Sequence, residues 1–278
     1  MGDFLLQKVD SSAIKKAYSF VLKHEAFCVT LSSEFAQNSQ FKAVYAIYGK
    51  EDICGIITVN ASGFLLYCLP DTNIFEQNPE LCNTLKELLS VENINTIMGE
   101  ENGSNILQNL YGRKPVCEWE YFLMEYGGKK LDYNLPPQIV LRKCLPEDDE
   151  GLYVLQKQYE LVEVLPPGTE HNPARCRLAL QKSLKSQLIF ALFDNGSAVA
   201  KAGTNAVGVN FAQIGGVFTD VKYRNKGFAA FLTNYIAHKL CKNGKRVVLF
   251  VKKKNLCAEA AYKKAGFMQF GCFKIVYY

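Results

Sequence analysis

The sequence predicts an α/β (α+β) protein built from two related folds in tandem. Three observations support this class: the C-terminal half shows strands and helices in one defined succession, the N-terminal half repeats most of it, and a linker-like break separates the halves. A chain of 278 residues is long enough for two domains of ordinary size. We therefore expect domains at 1–128 and 139–278, joined by a linker at 129–138.

The N-terminal half opens with a predicted helix, Ser11–Ala26, whose apolar residues recur on one face. Three apolar stretches, KAVYAIYG, ICGIITVN and FLLYCLP, then predict three strands. They are followed by a helix at Pro79–Leu89, a short strand NTIMG, a helical piece to Tyr111 and a strand WEYFLMEY. The succession is β-β-β-α-β-α-β.

The break between the halves, Gly127–Gln138, contains two glycines, two lysines and a Pro-Pro pair. This composition is typical of a linker. After it, IVLRKC predicts a strand, and PEDDEGLYVLQKQYE predicts a helix with Pro146 in its first turn. Strands at Gln187–Phe193 and Ala198–Val207 follow, joined by a DNGS turn.

The most informative stretch is GGVFTDVKYRNKGFAAFL, Gly215–Leu232, which predicts a strand, a short basic turn and an amphipathic helix. The turn combines a helix N-terminus, whose first amides lack partners, with the cations Arg224 and Lys226. Such a turn can bind a pyrophosphate through main-chain N–H groups. Taken alone, the fragment is equally explained by an ordinary strand-to-helix connection with a surface arginine.

The remaining elements add a second motif. KRVVLFV predicts a strand, and NLCAEAAYKKAGF predicts a helix with Asn255 as N-cap and Gly266 at its end. Tyr262 falls on the apolar face of that helix, and MQFGCFKIVYY predicts a final strand. The C-terminal half therefore reads β-α-(α)-β-β-β-α-β-α-β.

The pattern R-x-x-G-x-A, a strand and then N-x-x-A-x-x-x-Y-x-K-x-G-F closely resembles the GNAT superfamily of N-acetyltransferases over residues 139–278. The resemblance implies tandem GNAT-like folds, each a mixed, largely antiparallel sheet flanked by helices, with a degenerate N-terminal copy. It also implies acetyl-CoA as cosubstrate and an amine acceptor of unknown identity.

The same resemblance assigns roles to individual residues. Main-chain groups of Val217, Phe218 and Thr219 would pair with the pantetheine arm, and Asn255 would contact that arm or another part of the coenzyme. Tyr262 matches the superfamily tyrosine that often acts as general acid. The pyrophosphate would be held by six consecutive residues: Arg224, Asn225, Lys226, Gly227, Phe228 and Ala229.

The expected chemistry is direct transfer of an acetyl group to an amine, with no covalent enzyme intermediate. An ammonium must first lose a proton, because its unperturbed pKa is about 10.4, and the leaving thiolate must gain one. Glu160 and Glu163, at the end of a predicted helix, are candidates for the proton relay, with solvated helix-end carboxylates as the alternative. Tyr262 could instead be a core tyrosine, and Asn255 a plain helix cap.

Other reactive side chains are weaker candidates. His171 lies in a polar loop and could touch substrate, whereas His24 and His238 are not persuasive. Cys257, near the cap of the last helix, could be a nucleophile, but a free cysteine more often packs as a small buried hydrophobe. The acceptor pocket is expected to come from variable loops around Leu161–Arg177 and Thr204–Asn210.

Composition excludes several function classes. The ten cysteines form no C-x-x-C pair, so neither a metal site nor a disulfide framework is expected. No apolar run approaches a membrane span, no signal peptide is recognisable, and the net charge of +5 accompanies no nucleic-acid recognition motif. We therefore expect a cytoplasmic protein with no nucleic-acid or membrane partner and the possibility of a homodimer.

The N-terminal half is expected not to bind CoA. Its corresponding connection, DTNIFEQNPE, carries Asp71, Glu76 and Glu80 in place of the basic glycine turn. It would instead cover the catalytic domain, shape the acceptor pocket or mediate dimerisation, unless the repeat is coincidental. For the whole chain the alternative to an enzyme is a catalytically inactive CoA-binding regulatory or interaction module.

Overall fold

The computed structural model describes residues 4–37, 41–50 and 52–278, and the chain divides into two units. The first unit contains Met1–Phe122, Gly208–Phe211 and Gly271–Tyr278, and the second contains Leu123–Val207 and Ala212–Phe270. The last residues of the chain thus belong to the first unit, so the two units cannot be separated by one cut in the sequence. Linear domains at 1–128 and 139–278 remain a prediction.

The strands and helices that precede the second unit are β1 (Phe4–Lys8), α1 (Ile14–Lys23), α2 (Val29–Ala36), β2 (Phe41–Gly49), β3 (Asp52–Asn60), β4 (Phe64–Cys68), α3 (Asn73–Glu76), α4 (Pro79–Ser90), β5 (Thr96–Glu100), α5 (Glu101–Tyr111) and β6 (Cys117–Tyr126). β1, α2 and α3 were not expected from the sequence.

The sheet of the first unit is mostly antiparallel. β1 to β4 pair antiparallel in chain order, and β4 then pairs parallel with β5 over Phe64–Leu66. Both strands continue past this short paired segment, to Cys68 and Glu100. The parallel pair therefore separates at its C-terminal end, and the predicted class, a mixed and largely antiparallel sheet flanked by helices, is confirmed.

Alternating side chains on these strands form two cores on opposite faces of the sheet. Ile57 and Leu65 pack with α4 and α5, whereas their neighbours Ile56 and Leu66 pack with α1 and α2. The helices are set by local chemistry: α5 begins where the Glu100 carboxylate accepts two main-chain amides, and it ends at Gly112 with φ of 68°.

The elements that follow are β7 (Ile139–Lys143), α6 (Asp149–Tyr159), a π-helical turn (Glu160–Val164), α7 (Pro173–Ser186), β8 (Ile189–Asp194), β9 (Ser197–Val207), β10 (Phe211–Thr219), α8 (Phe228–Lys242), β11 (Arg246–Lys252), α9 (Leu256–Lys264) and β12 (Phe267–Tyr277). β7, β8, β9 and β10 form an antiparallel meander in chain order, and β11 lies next to β10.

Each unit is completed by a strand from a distant part of the chain. In the first unit, β5 pairs antiparallel with residues Phe273–Tyr277 of β12. In the second unit, the strand beside β11 is the end of β6, from Leu123 to Tyr126. The two C-terminal strands of the repeats have therefore changed places, which the sequence did not predict because both are similar apolar strands that follow a helix.

The predicted linker is held to α8 rather than free. The buried Asn234 side chain accepts from the amide of Leu131 at 3.0 Å and donates to the carbonyl of Lys129 at 2.8 Å. It also donates to the carbonyl of Ala265 at 2.9 Å and lies 3.2 Å from the Tyr126 hydroxyl. One amide side chain thus connects the linker to α8 and α9.

None of the helices among the described residues has both the length and the apolar character that crossing a bilayer requires.

Candidate active site

A β-bulge interrupts β10 where the pantetheine arm is expected. Gly215 lies opposite Gly203 of β9 and Phe218 lies opposite Lys201, so Gly216 and Val217 together face one partner residue. Gly216 has φ of 60°, a conformation that favours glycine. The bulge takes Val217 out of the ladder with β9, which leaves main-chain groups there for another partner.

The strand ends at Thr219, and a capped turn follows. The Asp220 carboxylate accepts from the amide of Lys222 at 2.9 Å and starts a 3-10 turn, Val221–Tyr223. Among the described residues, the buried Thr219 hydroxyl has no hydrogen-bond partner. Val217, Phe218 and Thr219 therefore lead directly into the predicted pyrophosphate turn.

That turn has the conformation of an anion-binding nest. Asn225 and Gly227 have φ of 63° and 79°, and Gly227 is the N-cap of α8. Within the described part of the chain, the amides of Asn225, Lys226, Gly227, Phe228 and Ala229 donate no hydrogen bond to a main-chain or side-chain acceptor. Consecutive unpaired amides at a helix N-terminus favour a bound phosphate.

Two exposed cations lie beside these amides. The Arg224 guanidinium lies 5.6 Å from the centre of the Phe218 ring, and its Nε is 3.4 Å from the carbonyl of Thr219. The Lys226 ammonium lies 4.7 Å from the centre of the Tyr223 ring. Weak ring contacts leave the donors of both side chains available for an anion.

Tyr133, from the predicted linker, supports the turn and was not anticipated. Its hydroxyl donates to the carbonyl of Lys226, and its ring lies 5.4 Å from that of Phe231 on α8. A Cβ at Gly227 would lie 3.0 Å from this ring. The only signal in the sequence was a single aromatic residue within a stretch of glycine, lysine and proline.

The start of α9 forms a second part of the site. Asn255 caps this helix, since its Oδ1 accepts from the amide of Ala258 at 3.1 Å, and its Nδ2 donates to Glu163 Oε1 at 3.1 Å. Lys252 Nζ donates to the main-chain carbonyl of Glu163 at 2.7 Å and lies 3.5 Å from Oε2. Asn255 is therefore a helix cap, as expected, and also holds a candidate catalytic carboxylate.

Tyr262 is buried on α9. Burial raises its pKa well above the usual range, with further contributions from Tyr159 and Glu163. The phenol therefore stays protonated at neutral pH, so it can donate a proton but cannot serve as a base. Its ring lies 6.5 Å from that of Phe267, which fits the alternative core role as well.

Glu160 opens the π-helical turn that ends α6, a feature often found at functional sites. Gln156 donates to its Oε1 at 3.2 Å, and His171 Nε2 lies 3.7 Å from its Oε2. The Glu160 side chain is only 15% exposed, so the picture of a solvated helix end is wrong for this residue. His171 lies in the expected polar loop, at 165–172, but its side chain is only 9% exposed.

Lys201 was missed by the sequence reasoning. It is buried on β9, its ammonium donates to the bulge carbonyl of Gly216 at 3.0 Å, and it lies 4.6 Å from the centre of the Tyr159 ring. Burial lowers its pKa to about 8. The available signal was a lysine within the otherwise small and apolar run AVAKAGT.

Cys257, by contrast, is exposed, so the expectation of a buried hydrophobic packing role is wrong. Among the described residues, it makes no contact with Glu160, Tyr262 or the amides of the turn. Cys257 is exposed because it lies on the outward side of the first turn of α9.

The fold and this arrangement are those expected of a GNAT-like fold, and comparison with known proteins agrees. Residues 193–274 match the family model described as FR47-like protein. No curated protein matches the chain.

Solved structures of similar fold cover nearly the whole chain. A GNAT-family acetyltransferase from Colwellia psychrerythraea has a TM-score of 0.60 at 16% identity, over 99% of this chain and all of its own. A Drosophila protein has a TM-score of 0.67 at 12% identity, over 99% of both chains. A tandem GNAT protein from the clavulanic acid biosynthesis pathway has 0.60 at 8%, over 99% and 98%. The resemblance to the GNAT superfamily, including its tandem form, is confirmed at the level of fold.

Proposed function

We propose that this protein is an N-acetyltransferase that moves the acetyl group of acetyl-CoA directly to an amine of a small molecule or polypeptide. The observation that carries the proposal is the row of unpaired amides from Asn225 to Ala229 at the start of α8. A protein rarely leaves such groups without partners unless a ligand or water satisfies them.

The coenzyme fits the residues that surround this turn. Its pyrophosphate oxygens would accept hydrogen bonds from the five amides, as an anion does at a helix N-terminus. They would also form ion pairs with Arg224 and Lys226. Its pantetheine amides would hydrogen-bond along Val217–Thr219, where the bulge frees the main chain from β9. Asn255, already held as the cap of α9, would orient the arm near the reacting end.

Glu160 is the better placed of the two carboxylates to take the amine proton. Gln156 engages only one of its oxygens, and the other faces His171. Both carboxylate oxygens of Glu163 already have partners, since Asn255 donates to Oε1 and the Lys252 ammonium lies 3.5 Å from Oε2. We therefore assign proton removal to Glu160 and positioning of Asn255 to Glu163.

Tyr262 would return a proton to the departing thiolate. Because its raised pKa keeps the phenol neutral, the proton is present when negative charge develops on sulfur. The ammonium of Lys201, fixed at the bulge carbonyl of Gly216, would add a positive charge beside the tetrahedral oxyanion.

The acceptor is expected to enter between the π turn and α7, within residues 161–177, because connecting segments vary more than the elements they join. The ten cysteines are all free, which supports a reducing, cytoplasmic location. A homodimer stays a prediction.

The alternative, an inactive CoA-binding module, is favoured by one observation. Glu163 and Asn255 are bonded to each other and to the protein, so they could serve packing alone. The two functions differ in turnover but share the phosphate turn.

The decisive experiment measures CoA release from acetyl-CoA with a panel of amines. Tyr262→Phe should lower kcat by about 100-fold or more, the size of a general-acid contribution, with nearly unchanged acetyl-CoA affinity. Tyr121→Phe, at a similarly buried tyrosine of the first unit, is the matched control. Binding of acetyl-CoA without release across the panel would favour the module.

The first unit is proposed not to bind CoA. Where β4 and β5 separate, the Tyr67 hydroxyl bonds to the carbonyl of Glu100 and lies 2.6 Å from the Ser104 hydroxyl. The Asp71 carboxylate accepts from the amide of Asn73, so negative charge occupies the position of the second unit's basic turn. Calorimetric titration should give one CoA per chain, and two equivalent sites would contradict this assignment.

A further inference from the structure

Three side chains with metal-ligating atoms meet in the second unit: Glu160, His171 and Cys176. A carboxylate oxygen, His171 Nε2 and the Cys176 Sγ all lie within 4.8 Å of one another. Glu160 comes from the π turn, His171 from the loop that follows it, and Cys176 from the first turn of α7. Cys176 is fully buried.

The imidazole of His171 has an unexplained buried nitrogen. Its Nε2 has no hydrogen-bond partner among the described residues, and the side chain is only 9% exposed, so water has little access to it. The 3.7 Å separation from Glu160 Oε2 is too long for a hydrogen bond. A buried polar atom without a partner is costly, so it calls for a ligand or a function.

Two simpler explanations fit poorly. A protonated imidazole paired with Glu160 should close to hydrogen-bond distance in a buried site, which it does not. A Cys-His nucleophile needs a thiol that a substrate can reach, whereas Cys176 is fully buried. A divalent cation would engage the nitrogen, the carboxylate and the sulfur together.

We propose that Glu160, His171 and Cys176 bind Zn²⁺, with the fourth position open. Zinc takes sulfur, imidazole and carboxylate ligands at about 2.0–2.3 Å, which places tetrahedral ligand atoms about 3.3–3.7 Å apart. The His171–Glu160 pair already has that spacing. The widest pair must close by about 1 Å, and His171 lies in a loop without regular structure, at 165–172. A thiolate ligand disfavours Mg²⁺ and Ca²⁺.

The surroundings orient two of the ligands, as they do in established metal sites. Gln156 Nε2 donates to Glu160 Oε1 at 3.2 Å, which leaves Oε2 directed at His171. Asn172, the residue after the histidine, caps α7 by accepting from the amide of Arg175 at 3.0 Å. The cap fixes the start of the helix that carries Cys176.

A consequence follows for catalysis, and it rests on the proposed function. Zinc on Oε2 would occupy the oxygen that is assigned to remove the amine proton. Bound zinc should therefore inhibit acetyl transfer, which makes the cluster a regulatory site. The binding claim itself does not depend on transferase activity.

The test is a titration of the metal-free full-length chain with Co²⁺, which replaces zinc and reports its ligands. We expect one Co²⁺ per chain, a near-ultraviolet thiolate-to-cobalt charge-transfer band, intense tetrahedral visible bands, and displacement by Zn²⁺. Cys176→Ser should abolish the charge-transfer band. Cys257→Ser, at the exposed cysteine of the same unit, should leave it unchanged.

If Cys176→Ser does not fold, His171→Gln tests the site instead, because His171 lies in a loop rather than in a helix. It should weaken Co²⁺ binding at least about tenfold. Absence of the band in the unmodified protein, its persistence in Cys176→Ser, or unchanged affinity in His171→Gln would overturn the site. Zinc binding with the expected spectrum but no inhibition would instead overturn the proton-transfer role of Glu160 and leave the metal site standing.

Discussion

Gly227→Ala is the most direct test of the phosphate turn. Gly227 has φ of 79°, and a Cβ added there would lie 3.0 Å from Cε2 of Tyr133. The change therefore adds both backbone strain and a close contact, at the residue whose amide lies in the middle of the proposed nest.

The expected magnitude follows from that geometry. A non-glycine residue in the left-handed region costs about 1–2 kcal/mol, and the Tyr133 ring must also shift. If the turn relaxes in the free protein, binding must restore it, and CoA affinity falls by about 5- to 30-fold. If the turn persists, the same cost is removed from the free energy of unfolding.

Calorimetric titration measures the free energy of CoA binding, and chemical denaturation measures the free energy of unfolding. The losses in these two free energies should sum to about 1–2 kcal/mol or slightly more. Gly244→Ala is the matched control, because Gly244 has φ of 77° but no atom within 4 Å of its added Cβ. It should lose stability alone. Unchanged CoA affinity together with unchanged stability in Gly227→Ala, or an equal affinity loss in Gly244→Ala, would refute the assignment of the turn.

Three further changes have defined outcomes. Arg224→Glu should weaken CoA binding by at least about tenfold at low salt, measured calorimetrically, with a smaller effect at high salt because the charge is exposed. Asn234→Ala should lower the free energy of unfolding by about 3 kcal/mol in denaturant titrations, since it leaves buried groups unpaired. Lys201→Met should remove a rise in stability between about pH 8 and pH 10.4: the folded pKa is lowered, so the unfolded chain binds more protons and raising the pH favours folding.

Each result in this group has a clear contradiction. CoA affinity independent of residue 224, or a loss that does not shrink with salt, would show that the guanidinium does not face the pyrophosphate. Asn234→Ala within about 0.5 kcal/mol of the parent would mean that water replaces its bonds. An unchanged pH slope in Lys201→Met would assign the titration to another group.

Elements with strong local chemistry could be predicted from sequence. The cap of α9 at Asn255 and its end at Gly266 were foreseen because a side-chain cap and a left-handed glycine act within a few residues. The turn between β8 and β9 was foreseen for the same reason, with Asn195 and Gly196 at positive φ.

Features set by distant contacts could not be predicted. β1 is only five residues long and mostly exposed on one side, and α2 begins without a side-chain cap. Glu160, His171 and Cys176 follow no known ligand spacing, since a π turn and a loop bring them together. The pKa of Lys201 is lowered by burial, and the burial of one lysine cannot be read from a single sequence.

The exchange of β6 and β12 has a consequence for biosynthesis. Residues 271–278, which supply the partner of β5, leave the ribosome after the entire second unit. At about 5–20 residues per second, the nascent first unit waits for roughly 7–30 s with the edge of β5 unpaired. Chaperone dependence of this chain should therefore be highest during that interval, and a stop codon before residue 271 should damage the half of the protein that was made first.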